Sequence, residues 1–93
     1  MSTIWIGVIE QEGEHCTVDA SCRFVACKTR EGVAEKLAES ATQLASACVE
    51  TIPECQEVYA TAYASILTAG YVEGDDLPVQ LKYNFHAYEL DVE

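Results

Sequence analysis

Between residues 3 and 27 the chain alternates apolar and polar side chains. Ile4, Ile6 and Val8 hold even positions of a first run; Cys16, Val18, Ala20, Cys22, Phe24 and Ala26 hold even positions of a second, against Thr17, Asp19, Ser21 and Arg23. A period of two belongs to a strand with one face buried, which predicts strands over about 3–11 and 15–27. Burying both even sets on one face requires antiparallel partners whose numbers have an even sum, hence a loop of odd length. Gln11, Glu12 and Gly13 make such a loop, with Gly13 in the left-handed position of a turn closed by a bulge. This register sets Val8 opposite Cys16, Ile6 opposite Val18 and Ile4 opposite Ala20, and brings the like charges of Glu10 and Glu14 face to face.

From Thr29 the period lengthens. Val33, Leu37, Ala41, Leu44, Cys48 and Ile52 recur at steps of three and four, with Ala34 and Ala45 beside them, which predicts an amphipathic helix over about 30–52. Thr29 is its expected N-cap, and Glu31 lies in the first turn, where a carboxylate favours the positive end of the helix dipole. Pro53 breaks the pattern and can open a new helix, expected over about 54–69. Cys55, Tyr59, Ala62, Tyr63 and Ile66 share one side of it, and Gly70 is placed to stop it.

After the acidic turn YVEGDDLP, alternation returns. Val79, Leu81, Tyr83, Phe85 and Ala87 interleave with Gln80, Lys82, Asn84 and His86, predicting a third strand over about 79–91. Beyond Ala87 the apolar phase moves to Tyr88, Leu90 and Val92, as a bulge or a change of exposed face would produce. The order strand, strand, helix, helix, strand predicts one α+β domain over residues 1–93, an antiparallel sheet with two helices on one face. At 93 residues such a domain buries roughly two-thirds of the surface its unfolded chain exposes, so it builds one modest core.

Charge alters the picture of partners more than of fold. Sixteen Asp and Glu against five Lys and Arg leave a formal net charge of −11, which disfavours nucleic acid and anionic membranes as direct partners. No apolar run approaches a membrane span and the N-terminus has no signal-peptide pattern, so a cytoplasmic protein is expected. Five cysteines, an odd number, read as reduced thiols.

The cysteines are also the first candidates for chemistry. His15 and Cys16 are neighbours, but neighbours on a strand point to opposite faces. The spacings among Cys16, Cys22 and Cys27, and between Cys48 and Cys55, are not those of a zinc site or a thiol redox pair, so small core residues are expected, with no metal and no cofactor. His86 has no partner in sequence and reads as an isolated histidine. No nucleophile elbow, phosphate loop, dinucleotide fingerprint or HExxH pair is present, and no enzyme is expected.

What remains is surface. Glu31, Glu35 and Glu39 repeat every four residues on the first helix, Glu50, Glu54 and Glu57 surround the helix junction, and Glu73, Asp75 and Asp76 fill the later turn. Charge runs commonly do no more than face water, but a polyanionic surface also suits a basic cleft, where complementary fields speed association. With the helices over the even face, Trp5, Ile9, Val25 and Tyr88 fall on the outer face of the sheet, as anchors for a partner or a second subunit.

The segment WIGVIEQEGEHCTV followed by ACKTREGVAEKLAES resembles the hairpin-then-helix organisation of short phage- and mobile-element-encoded proteins. In size, acidity and want of motif the chain is similar to anti-CRISPR and other anti-defence inhibitors, a group without one fold. The resemblance implies an inhibitor in the bacterial cytoplasm that occupies the basic nucleic-acid-binding surface of a CRISPR-type or other nucleic-acid-handling complex. On that reading Glu31, Glu35, Glu39, Glu73, Asp75 and Asp76 make the charge contacts, and Trp5 and Ile9 are apolar anchors if their face is open. The alternative is an antitoxin-like or homodimeric structural module that uses the outer sheet face. A third is a small thiol- or metal-dependent enzyme drawing on Cys16, Cys22, Cys27, Cys48 and Cys55.

Overall fold

In the computed structural model, which describes residues 2–11, 22–48 and 51–92, the chain forms an antiparallel sheet with two helices on one face. Strand β1 spans Ser2–Gln11, β2 Cys22–Cys27, β3 Tyr71–Glu73 and β4 Tyr83–Val92; helix α1 spans Arg30–Ser46 and α2 Ile52–Ala69. Across the sheet the order is β2-β1-β4-β3.

The helix limits follow local chemistry. Thr29 caps α1, its Oγ1 accepting from the Gly32 N–H at 3.1 Å. Gly70 ends α2 at φ 83°, a left-handed conformation that costs glycine little, and its N–H donates to the Ile66 carbonyl. Two limits differ from the sequence pattern. Helix α1 stops at Ser46, leaving Cys48 exposed, and Ile52 belongs to α2, because Pro53 sits in the first turn of a helix, where its missing N–H costs nothing.

The first hairpin differs too. Strands β1 and β2 pair with an even sum, as expected, but Val8 lies opposite Phe24 and Glu10 opposite Cys22, not opposite Cys16 and Glu14. The remainder of the strand expected over 15–27, with Glu12 and Gly13 of the expected loop, lies outside the described residues; Gln11 is the last residue of β1, and with Glu10 opposite Cys22 the connection is longer than the three-residue loop expected. Between Tyr71 and Glu73 a short strand stands where only a turn was expected, adding a fourth strand to the sheet. Val79 and Leu81 precede β4 instead of starting it, Leu81 being buried in the core.

The largest correction concerns which face is covered. The helices lie over the odd face of β1, not the even one. Ile9, 3% exposed, is in the core with Phe85 and Val72, its neighbours across β4 and β3, while Trp5, Val25, Cys27 and Ala87 pack against the same core half-buried. Trp5 and Ile9 are therefore not anchors on an open face. The physical reason is at Gly7: a Cβ there would lie 2.6 Å from Val25 Cγ2 and 3.0 Å from Leu37 Cδ2, so α1 seats closely on β1 only because the position has no side chain. Helix α1 contributes Val33, Ala34, Leu37, Ala38, Ala41 and Ala45 to the core, and α2 contributes Val58, Ala62 and Ile66. The first helix packs over β1, β2 and β4, the second mainly over β3 and beside it on β4.

Candidate functional site

With the odd face covered, no other described element lies over the even face, and the pairing registers arrange it in rows that cross the sheet. One row runs Phe24, Val8, His86, Tyr71; the next Ala26, Ile6, Tyr88; the next Ile4, Leu90, with Val92 beyond it. Phe24, Tyr71, Tyr88, Leu90 and Val92 are each 43–69% exposed. Together they make a contiguous exposed apolar patch on this face. No carboxylate stands in these rows. Glu10 and Glu73 flank Asn84 in the row that bounds them at one end.

Three side chains on this face form an aromatic ladder. His86 stacks on Tyr71 across the β3–β4 pair, ring centroids 6.2 Å apart and 19° from parallel, and on Tyr88 two residues along β4, at 6.0 Å and 17°. Cross-strand alignment supplies the first contact and the two-residue strand period the second. The sequence pattern isolates His86 because the first contact depends on β3, a strand too short to be read; the spacing of His86 and Tyr88 was the available signal.

The six acidic residues expected as charge contacts are divided between two places. Glu31, Glu35 and Glu39 are exposed along α1, and Tyr59 and Tyr63 of α2 are stacked on each other at 6.2 Å beside them. Burial first, then the carboxylates of Glu35 and Glu39, hold the Tyr59 phenol above its ordinary ionisation range. Glu54 and Glu57 are exposed at the start of α2. Glu73, Asp75 and Asp76 lie on β3 and the 3₁₀ turn Gly74–Asp76 that follows, on the edge strand beside α2 and not on α1. That turn is well anchored: the Gly74 N–H donates to Asn84 Oδ1 at 3.2 Å, and the Gly74 carbonyl accepts from Leu77 and Leu81. Glu31, Glu35 and Glu39 on the one hand and Glu73, Asp75 and Asp76 on the other thus stand on separate elements.

Compared with family models, curated proteins and solved structures, the chain matches none.

Among the described residues the cysteines do not gather. Cys27 and Cys55 are half-buried free thiols and Cys48 is an exposed one, which corrects the expectation of a core position for Cys48; Cys16 and the side chain of Cys22 lie outside what is described. Among the described residues no three His, Cys, Asp or Glu side chains are placed to hold a metal ion, and no helix is long and apolar enough to cross a membrane.

A third cluster closes the far end of the covered face. The Arg30 guanidinium lies over the Trp5 ring, 5.5 Å from its centroid, and its Nη2 sits 4.0 Å from where a Cβ of Gly70 would be. Helix α2 has no basic residue in its last turn, so Arg30 brings a cation to its negative end from the neighbouring helix.

Proposed function

We propose that this chain is a non-enzymatic interaction protein that binds another protein through the open face of its sheet. The observation that carries the reading is the collection of Phe24, Tyr71, Tyr88, Leu90 and Val92, all largely exposed, on the one face the helices leave uncovered. Burial of such a face gains about 25 cal/mol per Å² of apolar surface, whereas exposure gains nothing. A docking surface explains why the rows hold tyrosines and leucine where a solvated sheet face would alternate to polar residues. Affinity capture from the native host tests it: Leu90→Asp and Tyr88→Asp, at exposed positions where the fold tolerates them, abolish capture of the partner. Retention of the partner by both variants overturns the reading.

The position of Glu35 and Glu39 beside Tyr59 favours a second reading, the acidic inhibitor. A carboxylate-lined helix with adjacent tyrosines suits the basic nucleic-acid-binding surface of another protein, a bacterial defence complex being the class that the resemblance implies. In that case replacing Glu31, Glu35 and Glu39 together by Lys abolishes binding and added salt slows association, while Leu90→Asp leaves both intact. The two sets of variants separate the readings.

A further inference from the structure

The open face continues to an open edge. Strand β3 pairs only with Asn84, Phe85 and His86, and the last rung on that side is the Ala87 N–H donating to the Gly70 carbonyl at 2.7 Å. From Tyr88 to Val92, among the described residues, β4 has β1 as its one neighbour. Backbone groups alternate sides along an antiparallel strand, so the N–H and C=O of Glu89 and of Asp91 point to the same side as the Ala87 N–H, where no described strand lies. The side chains alternate as well: Tyr88, Leu90 and Val92 fall on the open face, Glu89 and Asp91 on the other.

We propose that this edge receives an extended segment of another protein as a fifth strand, one that alternates apolar and basic residues. Its apolar side chains extend the rows beside Tyr88, Leu90 and Val92; its Lys or Arg side chains stand opposite Glu89 and Asp91; its backbone takes up the four free peptide groups. Charge selects this occupant over a second copy of the chain. Symmetric antiparallel pairing of two β4 edges in register with these groups sets Glu89 against Asp91, or each against itself, across a protein of net charge −11. Charged residues on an edge strand exclude self-pairing by this means. The proposal rests on the reading of the open face as a docking surface and names the partner's chemistry.

Amide hydrogen exchange followed by NMR tests it, with a capped peptide of about seven residues alternating lysine and valine as the probe and its glutamate–valine counterpart as control. In the free protein the Glu89 and Asp91 amides exchange at least about tenfold faster than those of Tyr88 and Leu90, which face β1, and the lysine–valine peptide slows them by a similar factor. Glu89→Lys with Asp91→Lys, both exposed positions, reverses the preference to the glutamate–valine peptide. Three results overturn the proposal: protection of the Glu89 and Asp91 amides without peptide, equal binding of both peptides, or peptide-induced shifts confined to α1. An absence of peptide binding, together with loss of the native partner on Leu90→Asp, refutes strand addition and leaves the open-face reading standing.

Discussion

His86 and Tyr88 stand two residues apart on β4 with their rings 6.0 Å apart and 17° from parallel, and Tyr71 completes the stack from the adjoining strand. Stacked aromatic pairs contribute about 0.5–1.5 kcal/mol beyond area burial. The pair Tyr71 and His86 joins the short strand β3 to the sheet, so Tyr71→Ala and His86→Ala each destabilise, and a double-mutant cycle in urea yields a favourable coupling of about 0.5–1 kcal/mol. Zero coupling shows that the stack contributes nothing to the edge.

Gly7 is where the covered face is decided. Gly7→Ala places a methyl group against Val25 and Leu37 and destabilises the fold by about 1–3 kcal/mol, the usual cost of overpacking. Val25→Ala removes the nearest obstruction, so the double variant is more stable than the sum of the two single changes requires. Chemical denaturation of the four proteins measures this directly.

Local rules were legible where the reason was local. Thr29 at the start of α1 and Gly70 at the end of α2 announce themselves by residue type, and the even sum of the β1–β2 register follows from strand period alone. The covered face did not follow, because counting apolar residues favours Ile4, Ile6 and Val8 over Trp5, Gly7 and Ile9, and gives no weight to a glycine whose value is the space it leaves for Leu37. The odd face of β4, with Phe85, carried the missing information: β4 also pairs β1 with an even sum, which puts Phe85 beside Ile9. The shift of apolar phase at Tyr88 needs no bulge, since pairing with β1 runs unbroken to Val92; the even side chains there lie on the open face. Of the candidate site, the acidic stripe on α1 was visible as spacing, whereas the rows from Phe24 to Tyr71 depend on registers that no local pattern contains.

Arg30 and Trp5 form a pair that one spectrum can follow, since Trp5 is the chain's single tryptophan. Arg30 carries a buried Nε with no hydrogen-bond partner, an expense the cation–π contact and the α2 terminus offset. Arg30→Met keeps the packing and relieves that donor, so it costs less than Arg30→Ala, for which about 1 kcal/mol is expected. Both variants change the Trp5 emission of the folded state. An unchanged spectrum in both places the guanidinium elsewhere.

Tyr59 supplies the pH test. Its phenol is held above the ordinary value of 10.0, by burial first and then by Glu35 and Glu39, because both effects disfavour the phenolate. A folded-state value above the unfolded one means that the native protein keeps the proton after the unfolded chain has lost it. The resulting stability is fully present below pH 10.0 and is lost as pH rises through the higher folded value. Tyr59→Phe therefore flattens the fall of stability on the alkaline side of that window, measured as the urea midpoint against pH. Glu35→Gln with Glu39→Gln, at exposed positions, lowers the Tyr59 titration seen as phenolate absorbance in the difference between wild type and Tyr59→Phe. Should the titration stay where it is, burial and the neighbouring Tyr63 raise it, and the carboxylates of α1 then exert no field on the tyrosine surface that the acidic reading requires them to share.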